Sequence, residues 1–197
     1  MRAFLRADPD VIMVGEMRDE ETAHTGIEAS LTGHLVFSTL HTNSAVETVV
    51  RLLDMGLDPF NFADALVGVL AQRLVKRICE RCRESYHPER TEYEELADAY
   101  GQEAFEALGH RYTDDFVLTR GKGCAGCNRT GYRGRAGIHE LLIVSDEIKR
   151  LIQTRGRVAE MFAQARAEGM TTLVQDGVLK TLAGVTDLRQ VKAVAMK

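Results

Sequence analysis

The sequence lacks any apolar run long enough to cross a membrane. Its longest apolar stretches, residues 11–14 and 66–71, fall far short of the roughly 20 apolar residues that a spanning helix needs. The first ten residues include several charges and no apolar segment typical of a secretory signal peptide. Internal repeats and low-complexity tracts are also absent from the sequence. These absences predict an ordinary globular protein of the cytoplasm.

The sequence also lacks the phosphate-binding loop motif of nucleotide hydrolases, G-x-x-x-x-G-K followed by Ser or Thr. Residues 121–123, Gly-Lys-Gly, come nearest, but they have neither the upstream glycine nor the hydroxyl residue. The backbone amides and the lysine that surround the β- and γ-phosphates in such loops are therefore not provided by these residues.

A strong positive charge is missing as well. The 197 residues carry a net charge of −4, which gives no whole-chain argument for binding nucleic acid or an anionic membrane. We therefore expect no nucleic-acid partner.

Apolar runs and helix-start residues alternate over the first 72 residues. Residues 11–14 and 35–40 predict two short buried parallel strands, each followed by polar residues. Three residues that favour helix starts precede helical patterns: Asp19, Ser44 and Asp58. The first of these helices is expected over residues 20–31. Strands that alternate with helices are typical of an α/β fold with a parallel sheet.

The pattern changes after residue 79. We expect an amphipathic helix over residues 92–108, short strands over 116–118 and 132–144, and helices from Ser145 to the end. Residues 83–122 hold ten acidic and five basic side chains. This acidic insertion is poor in apolar residues, so little core of its own is expected.

Four cysteines form two C-x-x-C pairs separated by forty-one residues: Cys79, Cys82, Cys124 and Cys127. Four thiolates from two such turns can fill the tetrahedral shell of a structural Zn²⁺, leaving no open position for catalysis. A thioredoxin-like redox pair and a set of free thiols are the alternatives. Arginines flank both pairs, so a zinc-knuckle nucleic-acid binder is a further, remote alternative. The acidic insertion and the scarcity of aromatic side chains, chiefly Tyr132, argue against it.

Four segments together resemble one known family, the ATPases of type II secretion and type IV pilus assembly. Residues 5–19 (LRADPDVIMVGEMRD) resemble its Walker B segment, and residues 32–43 (TGHLVFSTLHTN) resemble its histidine box. Residues 51–56 (RLLDMG) and 72–75 (QRLV) match in order. The resemblance covers essentially the whole chain. It implies the C-terminal part of a RecA-like P-loop NTPase core, followed by a tetracysteine zinc module and a small helical subdomain.

The resemblance also implies roles for individual residues. Glu16 becomes the catalytic carboxylate, with Gly15 where other Walker B strands carry aspartate, and His41 becomes the histidine expected near the terminal phosphate. Arg18 and Arg51 are weaker candidates for binding nucleotide. The alternative interpretations are a solvated strand-end carboxylate, a capping or core histidine, and arginines paired with Asp19 and Asp54. For His34, at the entry to a strand, a structural role is the better interpretation.

The implied organisation has three parts. Residues 1–72 would belong to the ATPase core, 73–140 to the zinc module with its insertion, and 141–197 to the helical subdomain. In this family a homohexamer hydrolyses ATP with Mg²⁺ and drives pseudopilin or pilin assembly through a platform protein of the inner membrane. The chain itself is then expected to be inactive, in the cytoplasm and peripheral to that membrane. A standalone zinc-stabilised interaction module is the competing interpretation.

Overall fold

The computed structural model describes residues 9–195, so the first four residues of the Walker B-like segment, 5–8, lie outside the described part. The strands are β1 (Val11–Val14), β2 (Leu35–Ser38), β3 (Gly68–Ile78), β4 (Arg83–Tyr86), β5 (Leu118–Gly121) and β6 (Tyr132–Ile143). The first five helices are α1 (Glu20–Leu31), α2 (Ala45–Asp54), α3 (Pro59–Ala65), α4 (Arg90–Tyr100) and α5 (Gln102–Ala107). The remaining ones are α6 (Asp146–Gln153), α7 (Val158–Ala167), α8 (Leu173–Leu182) and α9 (Leu188–Ala195).

These elements form two compact units, each built from two stretches of chain. One unit contains the residues up to 71 together with 141–170, and the other contains 72–140 together with the residues from 171 onward. The three-part division expected from the sequence stays a prediction. Within residues 9–195, no helix combines the length and the apolarity that crossing a membrane requires.

The first unit is organised around the parallel pair β1 and β2. Val11 lies opposite Leu35, and Val14 lies opposite Ser38. The amide of Leu35 also donates to the carbonyl of Asp10 at 3.0 Å, which fixes the start of the register. Because the strands are parallel, the segments that follow them emerge at one edge of the sheet.

Helices complete the first unit. α1 packs against β2 and α3, α3 packs against α6, and α7 packs against both α6 and α2. Their buried side chains include Val46, Leu52, Phe62, Ile148 and Met161. Each large apolar side chain of this kind contributes about 1.5–3 kcal/mol when it is buried.

The predicted helix starts are confirmed. The side chain of Asp19 accepts a hydrogen bond from Thr22 N at 2.8 Å, and that of Ser44 accepts one from Glu47 N at 3.2 Å. Asp58 does the same for Asn61 N at 2.9 Å. Capping depends only on residues three apart in the sequence, so the sequence alone is sufficient to predict it.

The expectation that β1 and β2 are buried strands is met on one face only. Val11, Met13, Leu35 and Phe37 lie on one face of the pair, where 67% of Met13 and 53% of Phe37 are exposed. Ile12 points to the other face and is buried. Successive strand residues alternate between faces, and only one face of this pair packs within the unit.

In the second unit, β4 and β5 form an antiparallel pair in which Arg83 lies opposite Gly121 and Tyr86 opposite Leu118. The long strand β3 pairs with β6. The sequence analysis did not predict β3 or β4. Basic residues interrupt the apolar pattern of β3 after residue 71, and β4 has no apolar aliphatic side chain.

The acidic insertion takes part in a shared core, which the expectation of little core of its own did not include. Leu96, Phe105, Phe116 and Leu118 are buried together with Val178 of α8 and Leu188 of α9. The Tyr93 ring meets Phe116 edge-to-face at a centroid distance of 5.1 Å. Few apolar residues suffice because they are large aromatics and because α8 and α9 supply the opposite side.

The single helix expected over residues 92–108 is also wrong. The chain breaks at Gly101 into α4 and α5, and Gly101 adopts a φ of +96°, which side-chain-bearing residues rarely adopt. The break turns Phe105 into the core beside Leu96.

Candidate functional site

The edge of the sheet after β1 and β2 brings Glu16 and His41 together. Glu16 follows β1 by two residues and His41 follows β2 by three. The two segments are joined by hydrogen bonds from the Thr39 hydroxyl to the Gly15 carbonyl, at 2.5 Å, and from Met17 N to the Thr39 carbonyl, at 3.1 Å. Residues twenty-five apart in sequence therefore share one site.

Glu16 lies at the centre of this site. Its Oε1 is 3.3 Å from His41 Nε2, and its Oε2 is 2.5 Å from Arg18 Nη2. The Glu16 side chain is only 20% exposed, whereas that of His41 is 86% exposed. A largely covered carboxylate thus lies beneath two exposed nitrogen-bearing groups that are open to a ligand.

The surroundings of Glu16 keep it ionised. The hydrogen bond from Arg18, together with the charges of Arg18 and His41, lowers the pKa of Glu16, although partial burial acts in the opposite direction. The same pairing raises the pKa of Arg18. An ionised carboxylate in this position can polarise a water molecule or hold the water of a metal ion.

The two arginine candidates differ in their contacts. Arg18 pairs with Glu16, whereas Asp19, its expected alternative partner, caps α1. Arg51 lies in the last turn of α2 and makes no ion pair with Asp54 or Glu16 among the described residues. Of the two arginines, Arg18 is therefore the one that contacts within residues 9–195 bring to the site.

His34 has a structural position. Its Nδ1 lies 3.0 Å from the carbonyl of Ala29 and 3.3 Å from the Thr32 hydroxyl, at the end of α1. Carbonyls in the last turn of a helix have no partner within the helix, and a side chain often supplies one. This geometry agrees with the structural role expected from the sequence.

The four cysteines converge in the second unit. The sulfur atoms of Cys79, Cys82, Cys124 and Cys127 all lie within 4.8 Å of one another. Cys127 Sγ is 3.9 Å from Cys82 Sγ and 3.8 Å from Cys124 Sγ. A tetrahedral Zn²⁺ with bonds of about 2.3 Å would place its sulfurs about 3.8 Å apart, so the cluster has the dimensions of such a site.

Backbone hydrogen bonds hold the two cysteine turns together. Cys79 N donates to the Gly131 carbonyl at 2.9 Å, and Lys122 N donates to the Cys82 carbonyl at 3.0 Å. β4 begins directly after Cys82, and β5 ends three residues before Cys124, so their antiparallel pairing draws the turns together. The sequence spacing could not reveal this pairing.

Glycine is required where the turns cross. A Cβ at Gly121 would lie 2.1 Å from the Gly131 carbonyl oxygen, and Gly131 itself has a φ of +80°. Asn128 and Arg129 in the second turn also have positive φ, at 52° and 60°. Backbone strain of this kind persists only where the surrounding structure, or a ligand, compensates for it.

The thiols differ in acidity. Hydrogen bonds led by the amide of Cys124 lower the pKa of Cys127 to about 6, and burial raises the pKa of Cys82 to about 12. No disulfide joins the four cysteines. Gly123 N also donates to Cys82 Sγ at 3.3 Å and Gly131 N to Cys127 Sγ at 3.4 Å. Both bonds favour the thiolate form, although at Cys82 burial outweighs this effect.

The sequence analysis missed the part played by Thr39. It lies within the histidine-box resemblance, but nothing in its residue type indicates a hydrogen bond to a residue twenty-four positions earlier. Only the parallel register of β1 and β2, which brings Thr39 beside Gly15, reveals this contact.

Comparison with known proteins shows which family this chain is similar to. The family model described as "Type II/IV secretion system protein" matches residues 1–193. The chain is 49% identical over 193 residues to the type IV pilus assembly ATPase PilB of Thermus thermophilus, covering 98% of this chain and 21% of that protein. It is 46% identical over 194 residues to the type II secretion system ATPase E of Vibrio cholerae, covering 98% of this chain and 36% of that one. The chain thus spans about a third or less of the length of these relatives.

Solved structures agree with the sequence comparisons. The fold superposes on the pilus retraction motor PilT, solved with bound ADP, with a TM-score of 0.64 and 26% identity. That match covers 100% of this chain and 42% of the PilT chain. The α/β fold expected from the sequence is therefore also found in part of the PilT chain.

Proposed function

Since the chain belongs to the type II/IV secretion system protein family, we propose that it forms the C-terminal part of a longer motor ATPase. In this proposal the whole protein hydrolyses ATP to drive pilin or pseudopilin assembly. The phosphate-binding loop and the residues that hold Mg²⁺-ATP come from the portion of the protein upstream of β1. The present chain contributes Glu16 and His41 to the nucleotide site.

The arrangement of Glu16 and His41 at the edge of the sheet carries this proposal. A carboxylate with a lowered pKa cannot donate a proton at neutral pH, but it can polarise an attacking water. The imidazole beside it is exposed, so it could stabilise charge on a phosphate bound next to it. Arg18 orients the carboxylate, and Arg51 is a further candidate for contact with nucleotide.

The proposal extends to the assembly of the whole protein. A homohexamer at the cytoplasmic face of the inner membrane, acting on a platform protein, is the assembly that we propose for the whole protein. ATP and Mg²⁺ are its cofactors. The secretion and pilus branches both contain proteins that are more than 45% identical to this chain, so the choice between them rests on other portions of the protein.

Replacing Glu16 by Gln in the full-length protein tests the catalytic role. The change preserves size but removes the charge, so we expect ATP binding to persist and turnover to fall by roughly 10²- to 10⁴-fold. Replacement of His41 by Ala should reduce turnover less, because the imidazole assists the reaction and does not carry it. Glu21→Gln, in the exposed first turn of α1, serves as the matched control and should leave both quantities unchanged. Retained turnover in the Glu16 variant would remove the basis of the proposal.

We also propose that the four cysteines hold one structural Zn²⁺. The sulfur separations fit a tetrahedral site, and the N–H groups that surround them suit thiolate ligands. Four sulfurs would complete the coordination, so the metal would stabilise the turns and take no part in hydrolysis.

A standalone zinc-stabilised interaction module is the second candidate function. It is favoured by the separate core of the second unit and by the lack of a phosphate-loop motif in the 197 residues. A phosphate-loop sequence read in frame upstream of residue 1 distinguishes the two, because only the ATPase requires one.

A further inference from the structure

We propose that Thr39 is a positioning residue for Glu16. It binds the loop after β1 on both sides of the carboxylate-bearing residue, and it does so from the strand-end segment that also carries His41. This inference rests on the proposed ATPase function, since it concerns the same site.

The contacts of Thr39 bracket Glu16. The hydroxyl of Thr39 donates to the carbonyl of Gly15 at 2.5 Å, and the carbonyl of Thr39 accepts from the amide of Met17 at 3.1 Å. Residues 15 and 17 are the two neighbours of Glu16, so a single residue of the facing segment fixes both adjoining peptides. The last residues paired within the ladder are Val14 and Ser38, so these bonds extend the pairing beyond the strands.

The loop needs such a restraint at Gly15. A Cβ built on Gly15 would meet nothing within 4 Å, so open space lies beside this residue and no side chain of its own can anchor it. Glycine has the widest conformational freedom of all residues, and rotation of the Gly15 peptide would move the Glu16 side chain. Met17 on the other side is buried and is anchored by the core. The hydrogen bond from the Thr39 hydroxyl to the Gly15 carbonyl thus restrains the backbone on the N-terminal side of Glu16.

The same residue sets the distance to His41. Only Leu40 separates Thr39 from His41, so fixing Thr39 against the β1 loop also fixes the imidazole relative to the carboxylate. The 3.3 Å separation of Glu16 Oε1 and His41 Nε2 therefore depends on these bonds. Small displacements of catalytic groups lower the reaction rate strongly, because the reacting atoms must be held close to their productive geometry.

Burial in the core does not explain the presence of a threonine at position 39. Thr39 is exposed, so a β-branched apolar side chain would fit in its place without disturbing the core. The bond through its carbonyl is available to any residue, whereas the bond to Gly15 needs a hydroxyl. Valine removes that hydroxyl and keeps the shape, and serine keeps the hydroxyl.

The test compares Thr39→Val, Thr39→Ser and Thr39→Ala in the full-length protein. Steady-state ATP hydrolysis and equilibrium binding of Mg-ATP are both measured. For Thr39→Val and Thr39→Ala we expect kcat to fall about 3- to 10-fold, the range that loss of one ordinary hydrogen bond corresponds to, with KM and ATP affinity within about twofold of wild type. Thr39→Ser should recover kcat to within about twofold. Thr154→Val, which removes a hydroxyl bonded to the Arg150 carbonyl at the end of α6, is the control and should match wild type.

Three outcomes would overturn the inference. Wild-type kcat in Thr39→Val and Thr39→Ala would show that the hydroxyl positions nothing. Lost ATP affinity in those variants would show that the hydroxyl binds nucleotide instead. A kcat in Thr39→Ser as low as in Thr39→Val would show that shape matters and the hydroxyl does not. Glu16→Gln, measured in parallel, separates the two proposals: if it retains turnover, the proposed function fails, whatever Thr39 does.

Discussion

At the scale of single residues, the ion pair between Arg18 and Glu16 is the contact that most affects the chemistry of the site. Arg18 is largely exposed, and ion pairs of exposed groups contribute little to stability. Its importance lies in the protonation state of the carboxylate. The folded pKa of Glu16 is lowered, so the stability contribution of this pair is present above the ordinary glutamate pKa. That contribution is lost as the pH falls through the folded value.

Replacing Arg18 by Gln should therefore raise the pKa of Glu16. The first cause of the lowered pKa is the hydrogen bond from Arg18, and only the weaker contribution of His41 would remain to oppose burial. NMR titration of the Glu16 carboxyl carbon measures this directly in the 197-residue chain. Arg51→Gln removes an equal charge from α2 and should leave the titration unchanged. An unchanged midpoint in the Arg18 variant would show that the pair does not control this carboxylate.

The residue scale also shows how far the sequence could lead. Glu16 and His41 both follow apolar runs, and parallel strands end at one edge, so their meeting is predictable from pattern alone. The partner of Arg18 was not predictable, because Asp19 stands beside it in sequence and is instead used to cap α1. Backbone geometry decides which of several nearby polar residues pair with one another, and a single sequence does not give that geometry.

At the scale of elements, the sequence predicted features that depend on residues close together in the chain. It did not predict features that depend on residues far apart. The starts of α1, α2 and α3 were predicted because each cap involves residues three apart. The strand β3 was missed because its partner β6 lies more than fifty residues later, and its basic side chains obscure the apolar pattern. The core of the insertion was missed because Val178 and Leu188 come from the far end of the chain.

The core around Leu96 and Phe105 determines which residues should lose protection when the metal is lost. We expect protein purified without added metal to hold about one Zn²⁺ per chain, and Cys124→Ser to lower that ratio. Hydrogen exchange in the variant should increase at residues 79–82 and 121–131, the turns that the sulfurs join. α4 and α5 should keep their protection, because Leu96 and Phe105 are buried independently of the cysteines. Elemental analysis and hydrogen-exchange mass spectrometry are the measurements.

Ala125→Ser, a change in the same turn that removes no sulfur, is the control for that experiment. Ala125 is exposed, so the added hydroxyl should alter neither metal content nor exchange. Wild-type protein that holds no metal would refute the zinc site. Exchange that rises throughout α4 and α5 would instead show that the aromatic core depends on the metal.

At the scale of the whole molecule, the sheet edge that carries Glu16 and His41 has few groups suited to hold a nucleotide by itself. Glu16 is ionised and Arg18 is paired with it, so the pair offers no net positive charge to a phosphate. The apolar face formed by Val11, Met13, Leu35 and Phe37 is exposed beside it. Both features suit a chain that spans about a third or less of the length of its relatives.

The isolated 197-residue chain should consequently bind Mg-ATP no more tightly than about 1 mM, corresponding to roughly 4 kcal/mol of binding free energy. The β- and γ-phosphates require backbone amides and a lysine from a phosphate loop, and the sequence has no such motif. Calorimetry with Mg-ATP makes the measurement, and the full-length protein under the same conditions is the control that should bind. Micromolar binding at one site per chain would show that these residues form a nucleotide site without the loop. The Glu16 edge would then have to contact the nucleotide through cations other than Arg18, with Arg51 the first to be replaced.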